Sequence, residues 1–237
     1  MKVSVVVPAF NEERLLGDSL RAIRAAMKAF EDAELIICDN NSTDRTAEIA
    51  RAAGARVVFE PVNQISRARN AGAAQAGGDW IVFVDADSTP SRELFAEIAE
   101  LIAGGRCLAG GSTIGYENTH WSVRVGIALW NGASRLGRWA AGSLVFCEAA
   151  AFREAGGFSE QLYAGEELDL FRKLKRMARA KGREIVILHR HPLLTSDRKL
   201  RLWGWKAGFR FILRVIATRG RALRSRTDCY SWYDGRR

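Results

Sequence analysis

The chain is 237 residues long, 48% apolar and 27% charged, which excludes a disordered, collagen-like or fibrous protein and suits one large α/β domain with a sizeable core. Its net charge of +9 is concentrated in one place: residues 198–237 hold 12 Lys+Arg against 2 Asp+Glu, whereas residues 1–197 hold 24 against 25. A protein that coats nucleic acid spreads its basic charge over a binding face, so no nucleic-acid partner is expected; the asymmetry points instead to a solvated terminal helix or a tail that meets something anionic.

Elements alternate along the first hundred residues. Val3–Val7 is a β-branched run stopped by Pro8, as expected of a strand buried on both faces of a parallel sheet. Residues 12–29 place Leu15, Leu16, Leu20, Ile23 and Met27 at helical spacing. Leu35–Cys38 reads as a second strand, and Ser42 or Thr43 can cap a helix over 44–53 that Gly54 ends. Val57–Phe59 is a third strand, 65–76 a third helix and Trp80–Val84 a fourth strand. Ser91, with Glu93 and Glu97, opens a helix that stops at Gly104-Gly105. Repeated strand–helix–strand units favour a mostly parallel, Rossmann-like sheet flanked by helices. Beyond it, 107–115 and 142–147 read as strands, 121–136 and 166–181 as helices, and Ile185–Leu188 as a last strand. Residues 199–218 are amphipathic: Trp203, Trp205, Phe209, Ile212 and Ile216 are interrupted by Lys206, Arg210 and Arg214.

No run approaches the roughly 18 uninterrupted apolar residues of a membrane span, and the opening Met-Lys leads into a motif, not a signal-peptide cut site. The scattered Cys38, Cys107, Cys147 and Cys229 form no C-x-x-C pair. They read as reduced, buried thiols of a cytoplasmic protein, with no disulfide framework or zinc site.

Ligands of open α/β sheets bind beyond the carboxyl ends of the strands. Polar clusters follow three apolar strands directly: Asn11-Glu12, Asp39-Asn40-Asn41 and Asp85-Ala86-Asp87. They should converge on one edge. The dinucleotide G-x-G-x-x-G and the G-x-x-x-x-G-K-[ST] loop are absent, as are G-x-S-x-G and H-E-x-x-H, so no glycine-rich loop holds an anion here. Asp85 and Asp87, one residue apart at a strand end, can both reach Mg²⁺ or Mn²⁺, directly or through water, leaving positions open for phosphate oxygens. A plain Asp/Ser turn is the alternative reading of the same residues.

The segments VVVPAFNEE (5–13), DNNSTDRT (39–46), RARNAGAAQAGGDWIVFVDAD (67–87) and GGFSEQLYAGEELDLFRKL (156–174) resemble, in order and spacing, the successive motifs of family 2 glycosyltransferases. These are GT-A fold enzymes that use nucleotide-diphosphate sugars. The resemblance covers about residues 3–175. It implies a metal-dependent transfer of a sugar from a UDP- or GDP-sugar to an acceptor hydroxyl, with inversion. By that resemblance Pro8, Ala9, Phe10, Asn11 and Glu12 wrap the nucleoside, Asp39 bonds the base, and Arg67 and Asn70 lie near the nucleotide and its phosphates. Asp85, Ala86 and Asp87 match the D-x-D motif, with Asp87 the direct metal ligand. Gly165–Leu170 matches G-E-D-x-D-L with Glu at 167 where Asp is usual, so Glu167, or its neighbour Glu166, is the general base. Three carboxylates within four residues raise one another's proton affinity, which suits a base working near neutrality; an acidic first helical turn favoured by the macrodipole is the plainer account.

The stretch 189–199 resembles the loop that closes over the diphosphate in relatives. His191, or His189, would complete the metal shell, and Ser196, Arg198 and Lys199 would meet phosphate. His120 reads as structural. The expected division is 1–198 for the transferase domain, with 1–105 binding nucleotide and 106–198 the acceptor, and 199–237 as a basic appendage. A glycan, lipid or small molecule fits the acceptor role, with Trp121, Trp130 and Trp139 near its pocket. The tail's tryptophans also suit peripheral contact with the inner face of a membrane. A nucleotidyltransferase acting on a sugar phosphate, or a non-enzymatic basic membrane-binding module, are the competing readings.

Overall fold

A computed structural model describes residues 1–116, 121–140 and 142–233, with the backbone alone for residues 121, 122, 199–207, 209 and 232. The expected His120, and the side chains of Lys199 and Trp121, therefore lie outside the described residues. The strands are β1 (Lys2–Ala9), β2 (Asp32–Asp39), β3 (Arg56–Phe59), β4 (Trp80–Val84), β5 (Ser88–Thr89), β6 (Cys107–Gly115), β7 (Leu144–Glu148) and β8 (Glu184–Thr195). They form one sheet in the order β3-β2-β1-β4-β7-β6-β8-β5. The pairs β1–β2, β1–β4, β2–β3 and β6–β8 are parallel, and β4–β7, β6–β7 and β5–β8 antiparallel.

Helices cover both faces: α1 (Leu16–Met27), α2 (Thr46–Ala52), α3 (Ile65–Ala74), α4 (Arg92–Ala103), α5 (Trp121–Gly137), α6 (Ala149–Glu154), α7 (Glu166–Ala180), α8 (Arg198–Ala217) and the short α9 (Tyr230–Tyr233). One core packs Leu16, Leu20 and Ile23 of α1 and Leu94, Phe95 and Ile98 of α4 against Val5, Val7 and Val82. The second packs Phe152, Phe158, Leu170, Phe171 and Leu174 against Val6, Ile81 and Phe83. Each such fully buried Leu, Ile or Phe side chain contributes about 1.5–3 kcal/mol. Because both faces are covered, the strands carry apolar residues at nearly every position instead of alternating.

The strand and helix positions expected from periodicity are found, with three instructive differences. Pro8 does not stop β1. Pairing to β4 ends at Val6, so the missing N–H of Pro8 removes no ladder bond on that side. The N-cap position of α2 falls to Arg45, without a side-chain cap; Asp44 Oδ1 accepts the Thr46 N–H at 3.0 Å, while Ser42 and Thr43 bond to Asn11 instead. The last strand extends to Thr195, seven residues past the Ile185–Leu188 run, and adds the two-residue β5 at the sheet edge.

Parallel β1, β2 and β4 end on one rim. Antiparallel β7 starts there, and the β8 terminus arrives through β5. Close packing at the sheet centre demands glycine: a Cβ on Gly110 would collide with the Val186 carbonyl and the Phe146 ring. Overpacking of this kind typically costs about 1–3 kcal/mol, so Gly110→Ala should lower unfolding stability by at least that much, measured by denaturant titration.

Candidate active site

The rim is assembled by stitching loops together. Asn11 and Asn41 both take left-handed backbone conformations, φ 51° and 65°, which asparagine tolerates better than most residues. The Asn11 N–H donates to Ser42 Oγ at 3.0 Å, its Oδ1 accepts the Thr43 N–H at 2.8 Å, and the Glu12 N–H donates to Thr46 Oγ1 at 2.7 Å. The first two loops are thus one unit. Asp39, 6% exposed, accepts the Ser42 N–H at 3.0 Å. Asn40 holds the following loop by donating to the Glu60 and Val62 carbonyls and accepting from the Gln64 N–H.

A hollow lies above these strand ends. Pro8, Ala9 and Phe10 line one side, Asn40, Asn63 and Ile65 another, with Glu12, Asp85, Ala86, Asp87 and Tyr233 completing it. The structure therefore brings the P-A-F-N-E and D-x-D segments together. Asn63, which the sequence did not single out, has a buried Oδ1 with no hydrogen-bond partner among the described residues.

Two guanidinium groups organise the carboxylates. Arg69 of α3 is 1% exposed. Its Nη1 lies 2.8 Å from Glu166 Oε1, and its Nη2 donates to Asp85 Oδ1 at 2.9 Å and to the Gly142 carbonyl at 2.7 Å. Phe158 faces the same group at 5.1 Å, a cation–π contact. Arg198, at the start of α8, forks onto Glu12 with two 2.8 Å bonds and reaches Asp87 Oδ2 at 3.3 Å. Asp87 Oδ1 also accepts from Thr195 Oγ1 at 3.4 Å, and its carbonyl accepts the Ser196 N–H at 3.0 Å. The Ser196 hydroxyl itself accepts the Arg198 N–H at 3.2 Å.

Glu166 and Glu167 open α7 behind Gly165, whose φ of 74° lies where glycine is favoured. Glu166 is occupied by Arg69. Burial, then the Glu166 carboxylate, pushes Glu167 up to about 8. Tyr116 at the end of β6 is raised as well, by burial and by Asp87, Asp197 and Asp85 nearby.

Several expected site residues are placed elsewhere. Arg67 pairs with Glu60 at 3.0 Å and Glu160 at 2.8 Å. Asn70 exchanges hydrogen bonds with the Phe158 backbone, donating at 2.9 Å and accepting at 3.0 Å. Both brace the loop before α7. His191 turns to α4, with Nδ1 2.6 Å from Glu97 Oε1, and His189 is exposed beside α5. Neither joins the aspartates, and among the described residues no three His, Cys, Asp or Glu side chains form a metal-holding group.

The donor chemistry of the rim still fits a hard dication. Asp85 and Asp87 offer only carboxylate oxygens, and Mg²⁺-type sites commonly use one or two carboxylates and complete their shell with substrate phosphates and water. Removing the Arg69 cation would strand Asp85 and Glu166. Breaking one partner out of a buried ion network typically costs about 3–5 kcal/mol, so Arg69→Met should lose that much in denaturant unfolding.

Comparison with known proteins places this geometry. The model of "Glycosyl transferase family 2" matches residues 4–153. An uncharacterized glycosyltransferase of Mycobacterium tuberculosis is 38% identical over 109 residues, 46% of this chain and 47% of its own. The dolichol-phosphate mannosyltransferase of Pyrococcus furiosus is 32% identical over 120 residues, 47% of this chain and 33% of its own. The matches thus span less than half of these relatives' lengths. Among solved structures, S. aureus TarS 1–349 superposes with TM-score 0.65 at 21% identity, over 84% of this chain and 61% of that one. The mannosyltransferase PcManGT of Pyrobaculum calidifontis, in complex with GDP-Man and Mn²⁺, gives 0.62 at 19%, over 81% and 56%. Sequence match and architecture agree: the chain belongs to glycosyltransferase family 2 and has the GT-A fold.

Proposed function

We propose that this glycosyltransferase takes its sugar from a nucleoside-diphosphate donor and passes it to an acceptor hydroxyl with inversion, using Mg²⁺ or Mn²⁺. The observation that carries the reading is the Arg69 bridge. One buried guanidinium holds Asp85, on the strand that ends in D-x-D, and Glu166, beside Glu167. In this reading Glu167, able to act as base, is held in a fixed relation to Asp85 and Asp87, able to hold a metal. The complexes of structural neighbours with UDP, UDP-GlcNAc and GDP-Man with Mn²⁺ support a donor of this class.

In this reading Asp87 and Asp85 hold the cation, and when bound it offsets charge that develops on the departing diphosphate. Pro8, Ala9 and Phe10 enclose the nucleoside, with Asp39, Asn40 and Asn63 close to the base. Arg198 meets phosphate once it releases Glu12 and Asp87, and Ser196 and Lys199 belong to the same approach. Glu167 accepts the proton of the acceptor hydroxyl as that oxygen attacks the anomeric carbon. Glu166 is the positioning partner, fixed by Arg69. Inversion follows from a single base opposite the leaving group.

The acceptor side is formed by β6 and α5, where Val125, Leu129 and Leu136 are 52%, 72% and 90% exposed. This apolar face, with relatives named for undecaprenyl phosphate and dolichol phosphate, supports an acceptor carried on a lipid. The basic residues 199–237 would then lie close to a membrane surface. Among the described residues no helix is long and apolar enough to cross one.

A thermal-shift series with UDP- and GDP-sugars, with and without Mn²⁺, tests the reading. A saturating donor at about 100 times its Kd adds roughly 2.7 kcal/mol. Asp87→Ala should abolish the metal-dependent part of the shift, and its retention would remove Asp87 from the site. Glu167 acts deprotonated, so kcat/KM should rise with pH and level off above about 8. Glu167→Gln should cost about 10²–10⁴ in rate. Glu166→Gln removes the like charge that raises Glu167 and should move the ascending limb to lower pH, which a pH–rate profile reads directly.

A further inference from the structure

The described residues after α8 do not trail into solvent. The chain reverses at Gly220, φ 83°, and Arg214 of α8 pairs with Asp228 at 2.6 Å on the returning segment. Ala222 and Cys229 are 2% and 0% exposed. The Leu223 carbonyl accepts the Tyr163 N–H at 2.7 Å, and its side chain lies over Gly165 at the start of α7. This is a packed arm, and its last described residue, Tyr233, borders the site.

Tyr233 stacks edge-on against Tyr163, ring centroids 5.5 Å apart, and its hydroxyl donates to the Tyr163 carbonyl at 2.9 Å. Gln64, just before α3, donates its side-chain amide to the Glu160 and Leu162 carbonyls of the same loop. On its other side Tyr233 borders the hollow lined by Pro8, Ala9, Asn63 and Asp87.

We propose that Tyr233 is a donor-positioning residue: its ring is a wall of the nucleoside pocket, and its hydroxyl pins the arm to the Tyr163 loop so that the ring stays there. The proposal rests on the nucleotide-sugar reading above. An aromatic wall facing Pro8 and Ala9 suits a flat base or ribose, since stacking is tolerant of base identity and costs little side-chain entropy. It does not suit the pyrophosphate, which belongs with the aspartates. The arm lies outside the segment 4–153 matched by the family model, so this wall is contributed by the chain's own C-terminal region.

Calorimetric titration of the full chain with UDP, GDP and inorganic pyrophosphate, each with Mn²⁺, separates the outcomes. Tyr233→Ala should weaken the nucleotide that the wild type binds by about tenfold or more, within the range of one lost stacking contact, and leave pyrophosphate within about twofold. Tyr233→Phe, which keeps the ring and loses the pin, should show the same selectivity with a smaller loss, and decides the matter if the alanine variant does not fold. Tyr230→Ala, on the exposed side of the arm, should change neither ligand. Equal losses for nucleotide and pyrophosphate would reduce Tyr233 to a structural peg, and unchanged or tighter nucleotide binding would also overturn the proposal. If the wild type binds pyrophosphate but neither nucleotide, the donor reading itself fails.

Discussion

A guanidinium taken out of water without partners costs several kcal/mol, and Arg69 is almost completely out of water. Its position is therefore set by the oxygens that offset that cost. These come from three elements far apart in sequence: Asp85 after β4, Gly142 before β7 and Glu166 at the head of α7. Meeting all three fixes α3 against the sheet and against α7 at once. The separation between the aspartates and Glu167 is accordingly a property of the core, not of loops free to drift. An active site that must hold reacting groups within fractions of an ångström gains from that rigidity.

Arg198 repeats the device nearer the surface. It bridges Glu12 and Asp87, with 13% of its side chain exposed against 2% for Arg69. One cation is thus built into the core and the other sits at the rim, on the first turn of α8. Acidic side chains outnumber both of them around the hollow, which leaves the rim suited to additional positive charge. The elevated proton affinity of Glu167 belongs to the same balance: burial and Glu166 raise it, and Arg69 pulls against them.

The architecture was legible because doubly covered strands are apolar throughout and end abruptly in polar clusters; Trp80–Val84 before Asp85 is the clearest case. The motif resemblance then located the aspartates and the α7 carboxylates. Arg69 escaped because R-A-R-N reads locally as a solvated helix face, and its acidic partners lie 16 and 97 residues away. Helical phase did hold a signal, since Arg69 falls on the buried face with Ser66, Gly72 and Ala73, while Arg67 and Asn70 lie off it. The orientation of His191 was out of reach for another reason. The β6–β8 register slips between Ser112 and Ile114, so strand parity counted from Ile185 no longer says which way a later side chain points. The arm escaped because Gly220 turns a segment whose charge alone suggested solvent.

Glu12 and Arg198 are 186 residues apart in the chain, and Tyr233 closes the hollow from farther still. Loop closure over such distances is entropically costly and slow. The parallel strands β1 to β4 can therefore pair before the rim is neutralised, because the Arg198 guanidinium that bridges Glu12 and Asp87 belongs to a much later part of the chain.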